Sequence, residues 1–550
     1  MVGVLVWATL GWASDDPLID VLSAELERAR AELADERVPP YFLAAEMFDT
    51  QAVSLRAEDG ALHGITRSRS RYVNVDVRVG AADLDSTHYL RSGNEAQGTD
   101  GQALPIGDDV EVLRRELWKE VDAAYRNAVQ RWSKVNADRA TLVAEERAWD
   151  LAPVTPRVEL LPPVELALDV DRWSDLLRRT SAVLAAGGVV RDGAVSLSAS
   201  AQQTRFVSTE GTAVRAARLS FMLSASLDTI ADDGSELDLS TIWVAREESA
   251  LPDEAELLAE VAALRDLLAR LRSAPEQDPY SGPVVLSDKA AGVFFHEIFG
   301  HRVEGHRLKR VDNAQTFRSK LGTPILPSFL DVVDDPTVDM MLGVPLNGTY
   351  AFDDEGVPAQ RVQLVDDGVL RGFLQSRSTV TGDDLSNGHG RRAPGRFPVT
   401  RQGNLMVTAS RSVSDADLRA QLVGLARKAG LPYGLWVDRI QGGFTYTERG
   451  QPNAFNVDVL VAWRVYVDGR PDELVRGIDL IGTPLDAFSR IVAAGELHEV
   501  FNGVCGAESG WVPVSASAPA LLISQMETQR KEKSQDRPPL LPAPTAGGAP

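Results

Sequence analysis

Residues 284–308 read VVLSDKAAGVFFHEIFGHRVEGHRL, and this stretch decides how the C-terminal half of the chain is interpreted. Its apolar start, VVL, predicts a short strand, and Ser287 or Asp288 can cap a following helix. That helix carries the pattern H-E-x-x-x-H, formed by His296, Glu297 and His301. The sequence therefore predicts a strand followed by a helix that presents two imidazoles and one carboxylate.

The spacing of the two histidines differs from the usual zinc-peptidase pattern H-E-x-x-H, in which both imidazoles lie on one helical face. Five residues of regular α-helix rotate by about 500°, which leaves the two side chains about 140° apart. A π-type turn of about 4.4 residues reduces that angle to about 50°. If both histidines bind one metal ion, the helix is predicted to be distorted by a π-type bulge near 298–301, which Gly300 would ease.

Two histidines leave a catalytic zinc site incomplete, because such sites usually have three protein ligands and an open position. Cys505 is one candidate for the third ligand, since glycines flank it in a predicted tight turn and a thiolate binds zinc strongly. The alternative for Cys505 is a small buried apolar residue. Four further candidates are Glu304, His306, His389 and His498.

Three residues are candidates for roles beside the metal. Glu297 points about 100° away from His296 around the helix, so it can act as a general base toward a metal-activated water. Its alternative is an ordinary exposed helical glutamate. Arg401 and His389 are candidates for binding the substrate carbonyl or a peptide end, and their alternative is a solvated basic loop.

Composition narrows the classes of function. The chain has 550 residues with 57 Lys and Arg against 79 Asp and Glu, a net charge of −22. Such an acidic chain is a poor match for nucleic acid, and its mean charge disfavours acidic peptides unless the inner surface differs from that mean. A single cysteine excludes an intramolecular disulfide framework. No apolar run reaches 18 residues, so no membrane span is predicted.

The order of predicted elements indicates an α+β protein, with an N-terminal α/β domain and a β-rich C-terminal catalytic domain that carries the distorted metal-binding helix. The N-terminal region, 14–160, is predicted to hold helices at 15–36 and 110–149 and strands between 41 and 79. Three regions follow: a middle α+β region at 161–280, the zinc-binding catalytic domain at 281–526, and a disordered Pro-rich tail at 527–550.

The N-terminal sequence does not decide in which cellular compartment the protein is located. Residues 1–13, MVGVLVWATLGWA, are apolar and uncharged and match the apolar core of a secretory signal, but they lack its basic leading segment. If this segment acts as a signal, the protein is periplasmic or secreted. If it is a packed or disordered tail, the protein is cytoplasmic.

The segment FFHEIFGHRVEGHRL resembles the metal-binding signature of the TldD/PmbA metallopeptidases, and specifically that of the active TldD-type subunit. Residues 387–405 and 442–505 also resemble that family, and Glu304 matches its glutamate after the second histidine. The resemblance implies that His296, His301 and Cys505 hold Zn²⁺ with Glu297 as the catalytic base. The sequence departs from the family at His306, where an acidic residue is expected.

The resemblance also implies a function. It implies a zinc-dependent peptidase that hydrolyses unfolded or small peptides inside a chamber formed by two subunits. The partner would be a second copy or a related subunit, giving a homodimer or a heterodimer. Three alternatives remain open: a non-catalytic partner or scaffold subunit of a peptidase complex, a metal-dependent amidase acting on a modified peptide, and a protein in which zinc only holds the fold.

Overall fold

The computed structural model describes five stretches of the chain: 15–90, 101–140, 148–309, 316–445 and 454–531. The apolar segment 1–13, for which a signal role is predicted, lies outside the described residues, and so do residues 532–550 of the predicted tail. The described part mixes helices and sheets, which confirms the predicted α+β class.

The described residues contain eight α-helices: α1 (Pro17–Glu32), α2 (Val110–Arg139), α3 (Val170–Ala185), α4 (Glu254–Ser273), α5 (Asp288–Ile298), α6 (Gly305–Lys309), α7 (Asp415–Lys428) and α8 (Pro484–Ser489). Local sequence sets their first residues. Helix α1 follows Asp16, whose carboxylate accepts the N–H of Leu18 at 3.1 Å. Helix α4 follows a capping box made by Asp253 and Glu256. None of the described helices is long and apolar enough to cross a bilayer.

One eight-stranded sheet dominates the N-terminal half. Its longest strands form an antiparallel hairpin whose turn holds Asp59 and Gly60 at φ 49° and 79°, the left-handed conformation that a two-residue hairpin turn needs. Helices α1 and α2 pack on one part of the sheet, and α3 and α4 on another. The strands are, in spatial order, Leu84–Asp85, Ala61–Ala81, Pro40–Glu58, Asp192–Ser208, Ala213–Ile230 and Val158–Leu160, with Gln102–Leu104 beside Ala61–Ala81 and Glu236–Ala245 beside Ala213–Ile230.

Two larger sheets form the C-terminal half. The seven-stranded sheet contains Tyr433–Thr445, Ser281–Leu286, Leu521–Arg530, Ile478–Gly482, Phe455–Tyr466, Glu473–Val475 and Ile491–Ala494. Pairing between its strands Tyr433–Thr445 and Phe455–Tyr466 closes it on itself. The six-stranded sheet contains Val369–Leu370, Val362–Asp366, Leu330–Asp334, Asn404–Ala409, Gly510–Ser517 and Phe501–Ala507. Two short hairpins pair Met340–Met341 with Val344–Pro345 and Gly390–Arg391 with Val399–Thr400.

Helix α5 connects the two C-terminal sheets, because it contacts strands of both. It is apolar on nearly all sides, and Phe294 and Phe295 are completely buried in the largest core of the protein. Both rings pack against Phe488 of helix α8, with centroid separations of 6.1 and 5.4 Å. His296, near the end of α5, is therefore held on a well-packed element.

Three boundaries differ from the sequence prediction. Helix α2 ends at Arg139 and not at 149; residues 141–147 lie outside the described part. Residues 527–530, predicted as disordered tail, belong to the strand Leu521–Arg530. Here Met526 and Thr528 alternate inward between outward-facing polar residues, a pattern of period two that composition alone does not show. The predicted regions 14–160 and 161–280 also share one sheet, since Pro40–Glu58 pairs with Asp192–Ser208.

Candidate metal centre

Helix α5 follows the strand Ser281–Leu286 directly, as the sequence predicts. The hydroxyl oxygen of Ser287 accepts the N–H of Ala290 at 3.3 Å, and the hydroxyl donates to the carbonyl of Asp438 at 2.7 Å. The carboxylate of Asp288 accepts the backbone N–H of His498 at 2.7 Å. These bonds fix the start of the helix to strands that are distant in sequence.

The predicted π-type bulge is wrong. Helix α5 ends at Ile298, and the chain continues through Phe299 into a 3₁₀ turn at Gly300–Arg302. The N–H of Phe299 still donates to the carbonyl four residues back, at 3.0 Å, and the N–H of Arg302 donates to the carbonyl of Phe299, at 2.9 Å. The turn therefore tightens where a widened turn was expected.

A close approach of two chain segments explains the glycine in this turn. A Cβ atom at Gly300 would lie 1.8 Å from Oε1 of Gln402, so no larger residue fits in this arrangement. The amide of Gln402 in turn donates to the carbonyl of His296 at 3.3 Å. The end of the metal-binding helix is thus shaped by a residue a hundred positions away, which local spacing cannot reveal.

The tightened turn brings the two imidazoles together. Their ring centroids lie 5.2 Å apart, and the ring planes form an angle of 73°. Sγ of Cys505 lies 3.4 Å from Nε2 of His301. One donor atom from each of His296, His301 and Cys505 lies within 4.8 Å of the others, and all three residues are buried.

Cys505 reaches this cluster from a strand and not from the predicted tight turn. It belongs to the strand Phe501–Ala507, where it pairs with Val512 of the neighbouring strand Gly510–Ser517. The carbonyl of Cys505 accepts a hydrogen bond from Nη2 of Arg401 at 2.7 Å. The strand pair and Arg401 together hold the sulfur against the end of helix α5.

The electrostatics of the cluster favour a thiolate. Burial raises the pKa of the Cys505 thiol, but the facing imidazoles of His301 and His296 outweigh it and lower that pKa to about 4. Nδ1 of His301 donates to a carboxylate oxygen of Glu304 at 3.1 Å, which leaves Nε2 directed at the sulfur. Burial raises the pKa of Glu304, yet His301 and Arg307 hold it well below its usual range.

This donor set fits a zinc ion. Two imidazole nitrogens and one thiolate, with room for a fourth ligand, are typical of a catalytic zinc site. Nδ1 of His296 is buried and has no hydrogen-bond partner within the described part of the chain. The carboxylate on the far side of His301 is the kind of partner that orients a metal-binding imidazole.

Glu297 lies beside the donor atoms and is not one of them. Its Oε2 is 3.9 Å from Nε2 of His301. Burial raises the pKa of this carboxyl, and the imidazoles of His296 and His301 oppose that shift. A carboxylate whose proton affinity is raised by burial, next to a metal-binding cluster, has the properties of a general base.

The remaining candidates lie elsewhere. Nε2 of His306 bonds to Oε1 of Glu508 at 2.7 Å, away from the three donors. Arg401 and His389 are completely buried, so the alternative of a solvated basic loop does not describe them. Arg401 holds the strand of Cys505, and His389 bonds to Asp334 at 3.2 Å. His498 is exposed.

Sequence analysis missed several residues that support the site. Arg307 lies three residues after Glu304 and donates to it at 2.8 Å, a helical spacing that was available as a signal. Glu508 bonds to both His306 and Arg307, but it lies about two hundred positions away from them and only the tertiary fold connects them. Gln402 gave no local signal either.

Residues 279–530 match the family model of the PmbA/TldA metallopeptidase C-terminal domain. The C-terminal half is a TldD/PmbA family domain. Relatives of this family domain include a metalloprotease of Archaeoglobus fulgidus, 30% identical over 239 residues, which are 44% of this chain and 51% of the relative. A metalloprotease TldD homolog of Haemophilus influenzae is 29% identical over 248 residues, 44% of this chain and 47% of the relative.

The matched stretch thus spans about half the length of these two relatives. A zinc metalloprotease TldD homolog of Saccharolobus solfataricus is 23% identical over 313 residues, 54% of this chain and 65% of the relative. These names support the resemblance of the metal-binding signature to the TldD/PmbA family.

Solved structures extend the likeness to the fold of nearly the whole chain. TldE from Thermococcus kodakarensis has a TM-score of 0.59 and 12% identity, and the match covers 92% of this chain and all of the other. A candidate modulator of a DNA gyrase from Thermotoga maritima has a TM-score of 0.60 and 15% identity, covering 92% of this chain and 99% of the other. At these identities the likeness shows a shared fold and nothing about activity.

Proposed function

We propose that this chain is a zinc-dependent metallopeptidase that hydrolyses unfolded or small peptides. The observation that carries the proposal is the convergence of His296, His301 and Cys505, which puts two nitrogens and one sulfur within 4.8 Å. The family of residues 279–530 and the names of the relatives support the same conclusion. In this proposal those three residues hold Zn²⁺.

When bound, zinc supplies Lewis acidity: it lowers the pKa of water toward 7 and polarises the scissile carbonyl. The residues around it prepare this chemistry. Glu304 accepts a hydrogen bond from Nδ1–H of His301 and fixes the ring so that Nε2 is available to bind the metal. Arg401 acts as a positioning residue, because its guanidinium group donates to the backbone carbonyl of Cys505.

Glu297 is the proposed catalytic base. Its carboxylate accepts a proton from the attacking water and returns it to the amine of the departing peptide fragment. Its burial beside the imidazoles gives it a raised pKa, which suits a group that must hold a proton briefly near neutral pH. The buried surroundings also limit competing water around the reacting carbonyl.

We further propose that the active assembly is a dimer that encloses a chamber, formed by two copies of this chain or by this chain and a related subunit. The fold shared with TldE supports a related partner. A non-catalytic role is the main rival, since that fold alone does not distinguish the two. The intact set of Glu297 and three donor residues favours the active role.

The test compares zinc content and peptide hydrolysis in the wild-type chain and in Cys505→Ala. The wild-type protein is expected to bind one zinc ion per chain and to cleave casein or a short unstructured peptide, with loss of cleavage on chelation and recovery with zinc. Cys505→Ala is expected to lose most of its zinc and its cleavage. Full zinc occupancy in Cys505→Ala, or wild-type protein that binds zinc without cleaving any peptide, contradicts the proposal.

A further inference from the structure

A cavity of about 890 Å³ lies between the eight-stranded sheet and the C-terminal half. Strands of the N-terminal hairpin and its neighbours form one wall, and the segments 337–354, 391–394 and 511–513 form the other. Phe48 and Phe206 contribute apolar surface. A cavity of this size, with mixed apolar and polar walls, has the dimensions of a ligand site.

Four arginines line this cavity. Arg392 forms an ion pair with Glu46, which leaves three: Arg218, Arg246 and Arg391. Within the described part of the chain, none of the three has a carboxylate oxygen within the 4.0 Å of an ion pair. Burial lowers the pKa of Arg218, and the charges of Arg246 and Arg391 lower it further. The positive charges of Arg246 and Arg391 therefore both act on Arg218.

Neutral carbonyl groups hold each arginine in place. Nη2 of Arg218 donates to the backbone oxygen of Asn347 at 2.7 Å, and Nη2 of Arg246 donates to the carbonyl of Leu346 at 2.6 Å. Nη1 of Arg391 donates to the carbonyl of Gln402 at 2.6 Å. Each guanidinium has five N–H donors, so most of this donor capacity is left for a ligand.

The carboxyl groups in the cavity wall are engaged elsewhere. Glu46 forms an ion pair with Arg392, and Asp354 accepts the backbone N–H of Arg392 at 2.6 Å. Asp353 accepts three backbone N–H groups, at 2.9 to 3.0 Å. Glu247 accepts a hydrogen bond from the hydroxyl of Ser249 at 3.2 Å. Asp339 differs, because its charge raises the pKa of Arg246, which burial lowers. It forms no ion pair with Arg246.

We propose that this cavity binds a carboxylate group of the peptide substrate through Arg218, Arg246 and Arg391. The inference rests on the proposed function for the identity of the ligand as a peptide. A guanidinium matches a carboxylate with two parallel hydrogen bonds, and the low dielectric of a cavity strengthens them. The carboxylate is either the C-terminal group of the peptide or the side chain of an internal Asp or Glu.

Two contacts connect this cavity to the candidate metal centre. Gln402 accepts a bond from Arg391 through its carbonyl and donates through its side chain to the carbonyl of His296. Val512 lines the cavity and is the strand partner of Cys505. Hydrogen bonds of Gln402 and the strand pairing of Val512 thus connect the cavity wall to the elements that carry His296 and Cys505.

Calorimetric titration of four peptides into the full chain carrying Glu297→Gln tests the proposal without hydrolysis. The peptides share one neutral sequence: a free C-terminal acid, its amide, an amide with one internal Glu, and the same amide with Gln. We expect a free acid or a Glu peptide to bind about tenfold more tightly than its neutral counterpart, as for a charge-assisted hydrogen bond. Preference for the C-terminal acid or for Glu identifies which carboxylate is bound.

Second-site variants assign the effect to the arginines. Arg246→Gln and Arg218→Gln are expected to remove the preference for the charged peptide, and Arg246→Lys to keep most of it. Arg265→Gln is the matched control, because Arg265 is partly buried and donates to a carbonyl, at 3.1 Å, but does not line the cavity. Equal binding of charged and neutral peptides, or a preference that survives Arg246→Gln, overturns the proposal.

The outcome is separable from that of the proposed function. If the wild-type chain cleaves peptides but binds acids and amides equally, the cavity proposal fails and the peptidase proposal stands. If no peptide is cleaved but the preference depends on the arginines, the carboxylate site stands and the peptidase proposal fails.

Discussion

The candidate metal centre and the arginine cavity are both buried, and their surroundings favour ligands of opposite charge. At the centre a thiolate and the carboxylates of Glu297 and Glu304 surround two imidazoles, an environment that favours a cation. In the cavity three guanidinium groups lack carboxylate partners, an environment that favours an anion. Because burying unpaired charge costs stability, each site favours a ligand that carries the opposite charge.

The two sites are expected to have different roles in one reaction. The centre would supply reaction chemistry, while the cavity would hold part of the substrate that does not react. Binding energy from such a remote group can be used to orient the scissile bond. Gln402 contacts both sites, Arg391 through its backbone carbonyl and His296 through its side chain, so one residue connects their geometry.

The largest expected effect is on catalysis and separates the two sites most clearly. Glu297→Gln should lower kcat by about 10²–10⁴-fold, since a general base contributes on that scale, while zinc content stays unchanged. Steady-state hydrolysis with zinc analysis measures both. Glu499→Gln, which changes an exposed glutamate, is the control. Hydrolysis by Glu297→Gln at the wild-type rate would refute the role of the carboxylate.

A smaller effect is expected from the carboxylate behind the metal-binding imidazole. Glu304→Gln keeps the shape of the side chain but weakens its hold on Nδ1 of His301, so zinc affinity should fall by about 10–100-fold. Competition with a chromogenic chelator measures this affinity. Glu496→Gln serves as the exposed control. Unchanged affinity in Glu304→Gln would mean that the ring needs no such partner.

The smallest effect concerns the contact between the two sites. Gly300→Ala places a methyl group on Gln402 and should destabilise the fold by about 1–3 kcal/mol, the usual cost of overpacking. Gly424→Ala in helix α7 meets no atom within 4 Å and should stabilise the helix by about 0.5–1 kcal/mol. Urea denaturation measures both free energies of unfolding. Equal stability of the two variants would contradict the close approach at Gly300.

Local sequence predicted one side of the metal centre well. Helix α5, its cap and the positions of His296 and Glu297 on it follow from a short pattern, because they depend on neighbouring residues. His301 was predicted on the same helix and lies beyond its end, in the turn Gly300–Arg302. The form of the turn between the histidines was predicted wrongly. It depends on Gln402, a distant residue that packs on Gly300. Cys505 was one candidate among several from its flanking glycines, and the family resemblance was what favoured it over the alternative of a buried apolar residue.

The sequence did not predict the arginine cavity, for a similar reason. Arg218, Arg246 and Arg391 lie at least 28 positions apart and come from separate elements, so no local pattern connects them. The sheet order that joins residues 40–81 with 192–245 likewise depends on pairing between distant strands.

X-ray absorption spectroscopy at the zinc edge tests the central claim most directly. The full-length wild-type chain, loaded with one equivalent of zinc, is predicted to show one sulfur at ~2.3 Å and two imidazole nitrogens at ~2.0–2.1 Å, with the sulfur shell absent in Cys505→Ala. A wild-type spectrum with only nitrogen and oxygen neighbours would show that Cys505 is not a ligand and would contradict the account.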